Sequence, residues 1–286
     1  MTTNLRRSLL QYLALAGLCT TLAGTARAEG PVYHFSPVNQ HSIELTARYW
    51  NPIVDYIYSK SGVKLLLKIG RTSADTTSYV LAGEVEFVFT NHLFSPEREK
   101  LGWRVFARRD TPPLRSQIVV MADSPVQKLD QLLNQAVSFP GPEATITYKM
   151  SYAQLLKQNV PIQVVFGGNS DGALAQLASG KVKASGTSSQ LSEGWSKREG
   201  KTLRVLWQSE PIPDLALMAA KKVPDQDMQA VAKAFIEMGR DPEGRRILAA
   251  ASELIKLPST TSFVPATLAD YKAYREFYQN APASLH

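Results

Sequence analysis

Cysteine is almost missing from this chain. Its single copy, Cys19, falls within the first twenty residues. The rest of the chain therefore holds no disulfide, no thiolate metal ligand and no cysteine nucleophile. No long apolar run follows the N-terminal one, no Gly-x-Gly-x-x-Gly stretch occurs, and no histidines stand at His-x-x-His spacing. These absences argue against a membrane-spanning core, a dinucleotide site and a helix-borne zinc site. No local arrangement sets a nucleophile beside a base, so neither an enzyme nor a cofactor is expected. Lysine and arginine are nowhere clustered among aromatics, so no nucleic-acid partner is expected.

What is present begins with a leader. Arg6 and Arg7 form a positive segment, Leu9 to Leu22 an apolar one, and Ala26-Arg27-Ala28 a small-x-small site. This pattern predicts a signal peptide over residues 1–28, cleaved after Ala28, and an exported protein. The apolar segment is shorter than the roughly 20 residues that span a bilayer. Leu18, not a small residue, precedes Cys19, which argues against a lipoprotein. Cleavage would take Arg6, Arg7 and Arg27 but no acid, lowering the formal charge from +7 to +4. A mild positive excess suits an anionic ligand. The remaining length supports one large domain or two lobes with real cores.

Apolar runs at Val32–Phe35, Val63–Ile69 and Glu86–Phe89 read as strands, separated by helical patterns. Asn51 followed by Pro52 is a candidate start for the first helix, and Gly62 its stop. A second strand–helix cycle spans Ala136 to Ala184, and helical stripes fill the tail, including Met228, Val231, Phe235 and Met238. The reading is α/β: two lobes, each a mostly parallel sheet flanked by helices. Residues 29–118 and 215–286 form the first lobe, and 119–214 an inserted second lobe. Gln117–Met121 and Leu215–Ala220 are the expected crossing strands, and two crossings make a hinge.

Three strands run into small polar residues where a helix begins. These turns are Thr90-Asn91-His92, Pro142-Glu143-Ala144-Thr145-Ile146-Thr147 and Gly167-Gly168-Asn169-Ser170-Asp171. Each places helix N-termini at the carboxyl edge of a sheet, where free N–H groups favour a small anion. The expected contacts are Asn39, Arg71, Ser73, Asn91 and His92 from the first lobe. The second supplies Thr145, Thr147, Asn169, Ser170 and Ser188. Asp171 either meets a cationic part of a ligand or answers the helix dipole. His41 and His92 also leave open a metal or metal complex held on one rim.

Longer stretches give the chain a family likeness. Among them are Trp50-Asn51-Pro52-Ile53, Ala82-Gly83-Glu84-Val85-Glu86, Ser116-Gln117-Ile118-Val119-Val120, Ser209-Glu210-Pro211-Ile212-Pro213 and Asp241-Pro242-Glu243-Gly244. In order and spacing the chain resembles the phosphonate-binding periplasmic proteins of ABC transporters, within the type II periplasmic binding protein superfamily. The resemblance implies two hinged lobes, capture of a phosphonate, phosphite or phosphate, a periplasmic location, a monomer, and delivery to an inner-membrane ABC permease. Presentation to a membrane histidine kinase is the alternative partner. The family's Ser-Thr-Ser-Gly turn falls on Ala144-Thr145-Ile146-Thr147, where Thr145 is kept and two side-chain donors are lost. A tyrosine frequent in the family falls at Ser73.

Overall fold

The computed structural model describes residues 30–286. The expected leader and its cleavage after Ala28 lie outside the described residues. Among the described residues no helix is long and apolar enough to cross a membrane.

Strand β1 (Val32–Pro37), helix α1 (Ile43–Ser61), strand β2 (Lys64–Leu67), helix α2 (Asp75–Leu81) and strand β3 (Phe87–Thr90) open the chain. β1 pairs parallel with β2 and β3, as the βαβαβ reading expects. Helix α1 starts at Ser42, whose hydroxyl accepts from the Leu45 N–H, so Asn51 and Pro52 lie inside it and not at its start. Burial of Tyr49, Trp50, Ile53, Val54 and Ile57 on one face holds the helix through a residue that cannot donate a backbone bond. Gly62 ends it at φ +73°. Trp50 is wedged between Phe35 and Phe89, with ring centroids 5.0 and 5.2 Å away.

A short helix α3 (Pro96–Glu99) leads to β4 (Arg104–Arg109), and the chain then leaves the first sheet. The second sheet is built from β5 (Ser116–Met121), β6 (Ala136–Phe139), β7 (Gln163–Phe166), β8 (Ala184–Ser188) and β9 (Leu203–Gln208). Between them run a wide helical turn at Thr145–Met150 continuing into α4 (Ser151–Lys157), then α5 (Ser170–Ala178) and α6 (Ser189–Glu199). The chain returns through β10 (Ala216–Ala219), α7 (Asp225–Met238), α8 (Pro242–Ile255), β11 (Phe263–Pro265) and α9 (Lys272–Asn280).

The sheet orders are β11-β4-β10-β3-β1-β2 and β7-β6-β8-β5-β9. Strands linked by helices pair parallel, whereas β10 runs antiparallel to β3 and β4, and β5 antiparallel to β8 and β9. Both sheets are therefore mixed: β5 and β10, the strands that follow the lobe crossings, run opposite to the neighbours they pair with.

The two crossing segments, 110–115 and 209–215, touch through an antiparallel bridge between Leu114 and Ile212. Arg109 and Asp214 brace them. Arg109 Nε donates to Asp214 Oδ2 at 2.9 Å and Nη2 donates to Oδ1 at 3.2 Å. Thr111 Oγ1 and the Leu215 N–H also donate to this carboxylate. Arg109 Nη2 also donates to Gln190 Oε1 of α6, so the ion pair links β4 of the first sheet to a helix of the second lobe.

Candidate functional site

The carboxyl ends of the strands converge on one cleft. From the first sheet come Val38, Asn39 and Gln40 after β1, Ser73 before α2, and Asn91 and His92 after β3. From the second come Ala144 to Thr147 after β6, Ser170 after β7, and Ser188 at the end of β8. Thus Asn39, Ser73, Asn91, His92, Thr145, Thr147, Ser170 and Ser188 meet as expected. Arg71 and Asn169 do not line this cavity. The Arg71 side chain is exposed, while its N–H is held by Asp75 Oδ2 at 2.6 Å. Asn169 caps α5, its Oδ1 accepting from the Gly172 N–H at 2.8 Å.

The local chemistry explains these positions. A Cβ at Gly167 would lie 2.4 Å from Ala173 N, a backbone contact that cannot yield, and Gly168 sits at φ +82°. The Gly-Gly pair is thus what lets β7 turn tightly into α5. At Thr145 the helix is wound wide: Lys149 N–H donates to Ala144 O, five residues back. Being first in that helix, the N–H groups of Thr145, Ile146 and Thr147 have no partner within it. α2, the 145–157 helix, α5 and α6 all point their positive ends at the cavity.

Several expected side chains are committed to protein partners. Asn39 Nδ2 donates to Gly70 O and Arg71 O, and its Oδ1 accepts from Thr46, so this amide shapes the 70–71 turn. The Thr145 hydroxyl donates to Asn91 O at 3.2 Å and lies 3.0 Å from the Tyr278 hydroxyl, tying the second sheet's helix to the first lobe. Ser188 Oγ accepts from the Leu191 N–H at 3.4 Å and keeps its own proton to donate. Ser73 Oγ differs from all of these: it is buried and has no hydrogen-bond partner.

His92 is 2 % exposed, and its Nδ1 lies 3.0 Å from Thr77 Oγ1. Burial drives its pKa down to about 3, with Glu143 opposing and Arg98 and Lys149 adding to the fall. The ring is therefore neutral at pH 7. A neutral ring can donate from only one nitrogen: where the Thr77 hydroxyl donates to Nδ1, Nε2 carries the proton and is a donor. Between pH 6.5 and about 3 the unfolded chain holds this proton and the folded chain does not, so stability is full above 6.5 and falls as pH drops. Denaturant melts at pH 7 and pH 5 should show the wild type losing about 2 kcal/mol more than His92→Gln between these pH values. An equal loss in both would refute the neutral imidazole.

Closure of the cleft is made by direct bonds. Ser73 N–H donates to Gly168 O at 2.8 Å, and Ser170 N–H to Gln40 O at 3.1 Å. His41 Nδ1 lies 3.1 Å from Asp171 Oδ2, and Arg198 donates to Asp171 Oδ1. On the other flank Arg98 pairs with Glu143 at 2.5 Å and donates to His92 O. His41 and His92 thus serve different partners, Asp171 and Thr77. Among the described residues no group of three or more His, Cys, Asp or Glu side chains could hold a metal ion. Gln40, Thr77, Arg98, Glu143 and Tyr278 were not singled out from sequence. Of these only Glu143 stood inside a recognised turn.

Fold and cleft match known proteins. The family model described as an ABC transporter, phosphonate, periplasmic substrate-binding protein matches residues 35–271. The chain belongs to this family. It is a transporter's substrate-binding component and not an enzyme, and the family's location is the periplasm, facing a membrane permease. Among solved structures, the chain is similar to a binding protein component of an ABC phosphonate transporter from Pseudomonas aeruginosa, at 17% identity over 87% of each chain with a TM-score of 0.73. PhnD1 of Prochlorococcus marinus, in complex with methylphosphonate, shares 15% identity over 87% of this chain and 97% of its own, with a TM-score of 0.72. A Xanthomonas citri protein bound to ATP shares 15% identity over 90% and 97%, with a TM-score of 0.65. None of the curated proteins compared with it matches the chain.

Proposed function

We propose that this family member captures a small phosphorus oxyanion between its two lobes, acting as a monomer, and carries it to the permease. The observation that carries this reading is Ser73 Oγ, a buried hydroxyl with no protein partner at a cavity on which four helix N-termini converge. A buried hydroxyl left unpaired is costly, and an anionic oxygen would satisfy it. The His92 ring, Ser188, Ser170, Thr147 and the 145–147 N–H groups supply further donors. No lining side chain carries a charge, so the anion is held by neutral dipoles aimed inward. The methylphosphonate complex of a fold relative agrees with this ligand class. A thermal-shift screen tests it. Phosphite, phosphate or methylphosphonate at about 100 times Kd should add about 2.7 kcal/mol of stability and raise the melting temperature. A shift with divalent metals alone would overturn the reading.

A further inference from the structure

The closed cleft measures its ligand. Only about 30 Å³ of it is open to the centre of a water molecule, against the ~10–15 Å³ that one water requires. Backbone groups of the two lobes are in direct hydrogen-bond contact, Ser73 to Gly168 and Ser170 to Gln40. A ligand that reached past the cavity would hold these pairs apart. Val38, Leu191 and Leu215 contribute apolar lining. No carboxylate lines the cavity. Asp171, next to Ser170, is occupied on both oxygens, by Arg198 and by His41.

Resting on the capture of a phosphorus oxyanion, we infer that this protein is specific for compact members of that class. Their substituent on phosphorus is no larger than a methyl group and carries no ammonium. Two costs exclude the others. An alkyl chain beyond one carbon opposes the lobe-to-lobe backbone bonds, and one excess methylene in a tight pocket is worth ~10–200-fold. An ammonium group would be buried without a counter-charge. Asp171, the acid beside Ser170 in the chain, does not line the cavity and is paired with His41 and Arg198.

Calorimetric titration of the mature chain with methylphosphonate, ethylphosphonate and 2-aminoethylphosphonate tests this. Methylphosphonate should bind roughly 30-fold tighter than 2-aminoethylphosphonate, and at least about tenfold tighter than ethylphosphonate. Equal affinity for methyl- and ethylphosphonate would overturn the size limit. Affinity for 2-aminoethylphosphonate equal to or above that for methylphosphonate would overturn the whole inference while leaving oxyanion capture intact. If phosphite, phosphate and methylphosphonate all fail to bind, capture itself is wrong.

Discussion

Asp214→Ala should lower the unfolding free energy by about 3–5 kcal/mol, the range for breaking one partner out of a buried ion pair. Arg109 and Asp214 are each 1 % exposed. Loss of the carboxylate strips Arg109 Nε of its acceptor, leaves Nη2 with Gln190 Oε1 alone, and leaves a buried guanidinium without a counter-charge beside the Phe89 ring, 4.7 Å from its centroid. It also orphans the Thr111 hydroxyl and the Leu215 N–H. Because these groups lie at the lobe crossings, the damage reaches the hinge as well as the core. Urea melts of the wild type, Asp214→Ala and the double variant Arg109→Met/Asp214→Ala would measure it. The double variant should be less destabilised than Asp214→Ala, since no charge is stranded. Equal stability of wild type and Asp214→Ala would show that the pair does not brace the crossings.

Ser73→Ala should weaken methylphosphonate binding by roughly 10–150-fold, the worth of one hydrogen bond to a charged group. The hydroxyl has no partner in the protein, so its removal breaks no internal bond and should leave stability nearly unchanged or slightly raised. This combination separates a ligand contact from a structural one. Arg71→Ala is the control. Its side chain is exposed and outside the cavity, so affinity should change by no more than a few-fold, through long-range charge alone. Calorimetric titrations of the three proteins read this directly.

The sequence revealed the strand–turn–helix edges because each is a local signal: an apolar run, a small polar turn, a helix start. Ser170, Thr145 and His92 were legible on that ground. Arg71 and Asn169 misled for a related reason, since turn and cap residues use the same chemistry as ligand contacts. Asn169 caps α5, and nothing local distinguishes that from binding. Pro52 misled because burial of the α1 face outweighs a helix-start signal. The Arg109–Asp214 pair joins residues 105 positions apart, and no periodicity reports such a contact. Likewise, the neutrality of His92 follows from burial, with Arg98 and Lys149 adding to it, and none of these is visible before the chain is folded.

Residue-resolved amide hydrogen exchange, with and without saturating methylphosphonate, tests the capture of an oxyanion by inward-facing neutral donors most directly. The N–H groups of Thr145, Ile146 and Thr147, which lack partners within their helix, should become strongly protected when ligand is bound. Those of Ser179, Gly180 and Lys181, exposed at the far end of α5, should not change. Unchanged exchange at all three positions, with protection elsewhere, would place the ligand outside this cleft.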